Sequence, residues 1–203
     1  MTSRHKYHRR SIRLKGYDYS QEGLYFITIC CQDKICRFGH IENKKMIYNQ
    51  YGIIAHNEWI KTPHIRPNII LHEFIIMPNH MHGIIEIIYR GKSNSPLCTG
   101  ELNSPQYTGE LHSPEIEFPK IEFPKIKTNV CDTPLQSPSQ TIGAIVRGYK
   151  SAVTKQLNAL GMHEKLWQRN YYEHIIRNEQ SYIRISEYIC DNPQKWANDK
   201  FFP

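Results

Sequence analysis

Hydrophobic positions divide the chain into a strand-rich first half and a helical last third. Leu24–Cys31 is aromatic and β-branched, the composition of a strand. Arg37–Ile41 and Lys45–Tyr48 are expected to form a short hairpin around Asn43. Asn49–Lys61 carries Ile53, Ile54, Trp59 and Ile60 at helical spacing and should stop at Pro63. Asn68–Met77 and His80–Tyr89 are two Ile-rich segments joined by Pro78-Asn79, an antiparallel pair with a tight turn. Thr141–Leu160 is amphipathic and ends at Gly161, a residue suited to the position after a helix. Glu179–Asp191 forms a second helix, ended by Asn192-Pro193. Strands followed by helices predict an α+β domain, with an antiparallel sheet covered by helices on one face.

Residues 92–140 break this pattern. Ser95–Asn103 is nearly repeated by Ser104–His112, and Ile116–Lys120 is repeated as Ile121–Lys125. The units are far shorter than the ~20 residues of a solenoid repeat. Seven of the 12 Pro fall here, and Pro at that density blocks both helix and ladder. The segment is therefore expected to be a disordered, low-complexity insertion between the halves of one domain, 17–91 and 141–196.

Charge sharpens the picture. The 203 residues carry a net +7 with a pI of about 9.1. The insertion holds four basic and six acidic residues, which leaves +9 on the rest. Residues 1–16 contain Arg4, Lys6, Arg9, Arg10, Arg13 and Lys15 and no acid. Such an arm is either a solvated tail or a contact for nucleic-acid phosphates. No apolar run reaches the ~20 residues that span a bilayer, and the N-terminus lacks the apolar centre of a secretory signal. A cytoplasmic protein is expected, without a membrane partner. The six Cys show no C-x-x-C pair, which argues against a disulfide scaffold or a zinc finger.

The sharpest chemical feature is His80-Met81-His82. Strand side chains alternate, so the two imidazoles share a face about 7 Å apart along the strand, where they can converge on one cation. Spacing alone is equally compatible with a hydrogen-bonded pair at a sheet edge. Tyr188 and Asn192 lie four apart on the last helix and share a face of it. A tyrosine can attack phosphorus if the charge on the phosphoryl oxygens is stabilised. With 13 Tyr in the chain, spacing does not select Tyr188 over Tyr149, Tyr171, Tyr172 or Tyr182.

Resemblance makes that selection. Met77-Pro-Asn-His-Met-His-Gly83 resembles the histidine motif of the single-tyrosine HUH transposases. Arg10–Ser20, Tyr25–Thr28, Trp167–Arg169, Tyr172–Arg177 and Tyr188–Pro193 are similar to the REP-associated branch of that family. The resemblance implies a ferredoxin-like core, a divalent ion (Mg²⁺ or Mn²⁺), and cleavage and rejoining of single-stranded DNA beside hairpins. It maps the nucleophile to Tyr188 and the metal ligands to His80, His82 and Asn192. Arg10, Arg13, Lys150, Arg169 and Arg177 are candidates for holding DNA phosphates, each with a solvated-surface alternative. The expected partner is single-stranded or hairpin DNA, bound by a monomer or homodimer. Histidine-triad hydrolases also alternate His on a strand, but would require a third His where this chain has Ile84. A non-catalytic DNA-binding module and a zinc-stabilised structural protein are the remaining alternatives.

Overall fold

The computed structural model describes residues 18–88 and 141–203. The arm at 1–16 and the insertion at 92–140, with Arg10 and Arg13, lie outside the described residues. Among the described residues, six strands and four α-helices follow one another as β1 (Gly23–Cys30), β2 (Gly39–Glu42), β3 (Lys45–Tyr48), α1 (Gln50–Ile60), α2 (Thr62–Ile65), β4 (Ile69–Ile76), β5 (His80–Ile87), α3 (Ile142–Ala159), β6 (Tyr172–Ile176) and α4 (Glu179–Asp191).

The main sheet has the order β4-β5-β1-β6, every neighbouring pair antiparallel. Without the β2–β3 hairpin and the terminal α4, the path is β-α-β-β-α-β, a ferredoxin-like arrangement. Both crossovers skip a strand, so β5 lies between β1 and β4, and β1 lies between β5 and β6.

Local chemistry sets the ends of the helices. Asn49, Thr141 and Asn178 each accept a hydrogen bond from a backbone N–H of the first turn, capping α1, α3 and α4. Gly161 follows α3 with φ +88°, as its position predicts. In the β2–β3 turn, Asn43 and Lys44 take φ of 49° and 62°, the left-handed pair of a two-residue hairpin. Pro63 does end α1, but it then serves as an early residue of the short α2, where a missing N–H costs nothing. β6 was not expected from the pattern. Its five residues include Glu173 and His174, which interrupt the apolar signal.

Both sheet faces are apolar. Tyr25, Ile27 and Ile29 of β1 join Met81 and Ile85 of β5 in the larger core, against Trp59 of α1 and Ile145, Val146, Tyr149 and Val153 of α3. The Tyr149 hydroxyl donates to the Ala55 carbonyl at 3.1 Å, tying α3 to α1. The alternate residues Leu24, Phe26, Ile84 and Ile176 form a second core with Tyr182 and Ile189 of α4. Thus α1 and α3 cover one face as expected, while α4 covers the other. The reason is physical: Leu24, Phe26 and Ile84 would face water without it, at a cost of about 1.5–3 kcal/mol each. The histidine pair belongs to this second face.

Candidate active site

β5 begins at His80, directly after the Pro78-Asn79 turn, so its first two outward positions on the α4 face are imidazoles. Their Nε2 atoms are 3.0 Å apart. Asn79 is buried, and its Nδ2 donates to the carbonyls of Lys34 and Phe201. That fixes its Oδ1 toward His80 Nδ1 at 2.8 Å, so Nδ1 carries the hydrogen and Nε2 keeps a lone pair. His82 Nδ1 meets the Thr28 hydroxyl at 2.8 Å across the β1–β5 pair.

His80 and His82 are 0% and 1% exposed. Phe201 lies over both rings, with its centroid 4.4 Å from that of His80 and 5.9 Å from that of His82. Burial, with help from the Lys200 charge, pushes His80 down to about 3. Burial also holds His82 well below the usual histidine range, reinforced by His80 and Lys200. Both rings are therefore neutral near pH 7, the state in which imidazole ligates a metal.

Tyr188 sits on the exposed side of α4, with its hydroxyl 3.2 Å from His82 Nε2. Phe26 lies under both rings, stacked on His82 at 5.4 Å and edge-on to Tyr188 at 6.2 Å. Burial raises the Tyr188 phenol above the ordinary tyrosine value. The Asp199 charge raises it further, and the Asn192 amide opposes this. Asn192, at the C-terminal end of α4, is 2% exposed. Its Nδ2 reaches Asp199 at 3.4 Å, and its buried Oδ1 has no hydrogen-bond partner among the described residues.

Among the described residues, His80, His82 and Asp199 offer ligand atoms all within 4.8 Å of one another. Two nitrogens held about 2.1 Å from one ion at a right angle lie about 3.0 Å apart, which matches the histidine pair. The unpartnered Asn192 oxygen and the Asp199 carboxylate add oxygen donors of the kind hard divalent ions take. The donor set therefore fits a divalent cation. Asp199 was missed in the sequence. It lies beyond the expected limit of the domain at 196, and no motif marks it. The turn Trp196–Asn198 and the bond from Phe201 N–H to its carboxylate bring it back to the site.

A cavity of about 660 Å³ opens on His82, lined by Phe26, Tyr172, Tyr188, Asn192, Lys195, Asn198, Asp199 and Lys200 as well. Lys195 and Lys200 supply its positive charge; Lys150, Arg169 and Arg177 are not part of its lining. Lys150 donates instead to the carbonyls of Gln168 and Asn170, closing the loop before β6, and burial lowers it to about 8. Arg169 is exposed in that loop and Arg177 is exposed at the end of β6.

No family model matches the chain. An uncharacterized protein of Haemophilus influenzae is 43% identical over 198 residues, covering 97% of this chain and 94% of that one. The chain belongs to that protein's family. Among solved structures, it is similar to a REP-associated tyrosine transposase bound to a REP hairpin, with a TM-score of 0.49, 18% identity, and coverage of 90% of this chain and 73% of that one.

Proposed function

We propose that this protein is a metal-dependent tyrosine transposase that cleaves single-stranded DNA beside hairpins and rejoins it through a 5′-phosphotyrosine. The observation that carries this reading is the 3.2 Å approach of the Tyr188 hydroxyl to an imidazole that is itself 3.0 Å from a second one. The motif resemblance of His80–His82 and Tyr188–Asn192 to single-tyrosine HUH transposases supports it, as does the basic balance of the chain.

In this reading His80 and His82 hold Mg²⁺ or Mn²⁺ through Nε2, with Asn192 or Asp199 as the oxygen ligand. The ion, when bound, would neutralise charge developing on the phosphoryl oxygens. Asn79 and Thr28 orient the imidazoles from behind, fixing which nitrogen faces the site. Tyr188 Oη forms a bond to phosphorus as the bond from phosphorus to the 3′ oxygen breaks. The phenol gives up its proton and the departing 3′ oxygen takes one up. One phosphodiester replaces another, so rejoining to a different 3′-hydroxyl needs no nucleotide cofactor. Lys195 and Lys200 attract the strand to the cavity mouth.

The near-complete burial of both imidazoles under Phe201 favours a second reading, a non-catalytic DNA-hairpin-binding protein that retains the fold. One experiment separates the two. Labelled single-stranded hairpin DNA is incubated with protein and Mn²⁺ and run on a denaturing gel. A transposase gives a slower covalent band that disappears in Tyr188→Phe and His80→Ala. A binding protein gives none, and its affinity is the same in both variants.

A further inference from the structure

β6 is an edge strand, and its Tyr172 and His174 project onto the same sheet face as Phe26, Thr28 and His82. Tyr172 is 41% exposed, although its neighbour Phe26 is only 8% exposed. Its ring stands edge-on to Phe26 at 6.3 Å, and Phe26 stands edge-on to Tyr188 at 6.2 Å. Two aromatic rings thus flank one cavity mouth, one carrying the hydroxyl beside His82, the other partly exposed. Lys200 Nζ lies 5.9 Å from the Tyr172 ring centroid.

Outside the cavity, the same two elements carry exposed cations. Arg184 precedes Tyr188 by four residues on α4, one turn and about 6 Å away on the same face. Arg177 follows β6. Partial burial and then these two charges lower His174 below the ordinary histidine value. From Tyr172 to His174 is about 7 Å along the strand. Tyr172 and Arg177 thus lie on and just after β6, and Arg184 and Tyr188 lie one turn apart on α4. An exposed ring beside a line of cations is the composition of a single-stranded nucleic-acid site, where bases stack and phosphates pair.

We propose that the cavity mouth between Tyr172 of β6 and Tyr188 of α4 is a nucleotide subsite, in which Tyr172 stacks the base flanking the scissile phosphate, while Arg184 and Arg177, on the exposed surface beyond it, hold the next phosphate. This rests on the single-strand reading of the Tyr188 site, and it assigns roles to Tyr172 and Arg184 that strand cleavage alone does not require. Stacking on Tyr172 accepts any base, so the subsite contributes affinity and registers the strand rather than reading its sequence.

The test measures binding alone, in a full-length Tyr188→Phe background. Fluorescence anisotropy compares oligo(dT) with an abasic oligomer of the same length and charge. The subsite predicts tighter binding of oligo(dT) than of the abasic strand. Tyr172→Ala should weaken oligo(dT) by roughly 5- to 150-fold, the range for one lost base–aromatic stack, and leave the abasic strand unchanged. Unchanged abasic binding also reports that the variant is folded, and Tyr172→Phe should behave as the parent. Arg184→Ala should weaken both strands alike and reduce the salt slope by about one. Equal binding of the two strands by the parent, or a Tyr172→Ala loss shared equally between them, overturns the subsite. Failure of the covalent-band assay, with these preferences intact, would instead overturn the cleavage reading and leave the subsite standing.

Discussion

The Tyr188 hydroxyl meets His82 Nε2 at 3.2 Å across a sequence separation of 106 residues. The contact exists because α4 packs on the sheet face opposite α1 and α3, over Leu24, Phe26 and Ile84. A helix on the α1 and α3 side would have left the phenol and the imidazoles separated by the thickness of the sheet.

Polar contacts fix how α4 sits. The Tyr182 hydroxyl donates to Glu73 Oε2 at 2.8 Å, and the Ser186 hydroxyl donates to the same oxygen at 3.1 Å. His72 bridges Tyr182 at 3.1 Å and Glu86 at 2.9 Å. His72 and Glu73 lie where the β4–β5 register shifts, so a bulge turns both toward the helix. Tyr182 is 1% exposed, and Tyr182→Phe would leave Glu73 short of a partner in a buried setting. A loss of about 1–3 kcal/mol is expected, which calorimetry should read as a drop in Tm of roughly 2–4 °C per kcal/mol.

Acid should destabilise the fold through the histidine pair. Unfolded histidine titrates near 6.5, whereas folded His80 lies near 3 and His82 well below its usual range. Between those limits the unfolded chain binds protons that the folded chain refuses, so stability falls as pH drops from about 6.5 toward 3. The slope is about 1.4 kcal/mol per pH unit for each histidine within its window. Urea unfolding of the parent and His80→Gln at pH 7 and pH 5 checks this. The variant should lose distinctly less stability on acidification.

The donor set makes a prediction about metal. Mn²⁺ should raise the Tm of the parent by binding the folded state only, and His80→Ala should abolish the rise. Asp199→Asn should shift the midpoint of the titration by roughly tenfold or more, on the scale of removing a partner from a metal site. An equal rise in parent and His80→Ala would place the ion elsewhere.

How much of this was legible in the sequence depends on the residue. Alternation along a strand placed His80 and His82 on one face, and the Pro78-Asn79 turn placed them at its start. The spans of β1, β4, β5, α1, α3 and α4 followed from apolar periodicity and capping residues, to within a residue or two at most ends. The side on which α4 packs was latent in β1, where Leu24 and Phe26 are as apolar as Tyr25 and Ile27. A run apolar on both parities needs cover on both faces. Tyr188 is different. Among 13 Tyr, nothing local distinguishes it, and in the sequence only motif resemblance selects it; in the fold its hydroxyl lies 3.2 Å from His82 Nε2. Asp199 was not legible at all, because its place depends on how the chain turns after α4. β6 was obscured by Glu173 and His174, which interrupt its apolar signal; of the two, Glu173 is buried and His174 exposed.

The most direct test of the nucleophile is chemical. The product of hairpin DNA, protein and Mn²⁺ would be digested with trypsin and nuclease, and the modified peptide sequenced by mass spectrometry. A 5′-phosphonucleotide carried on Tyr188 is the predicted result. An adduct on another tyrosine, or none from a protein that binds the same DNA, would contradict it.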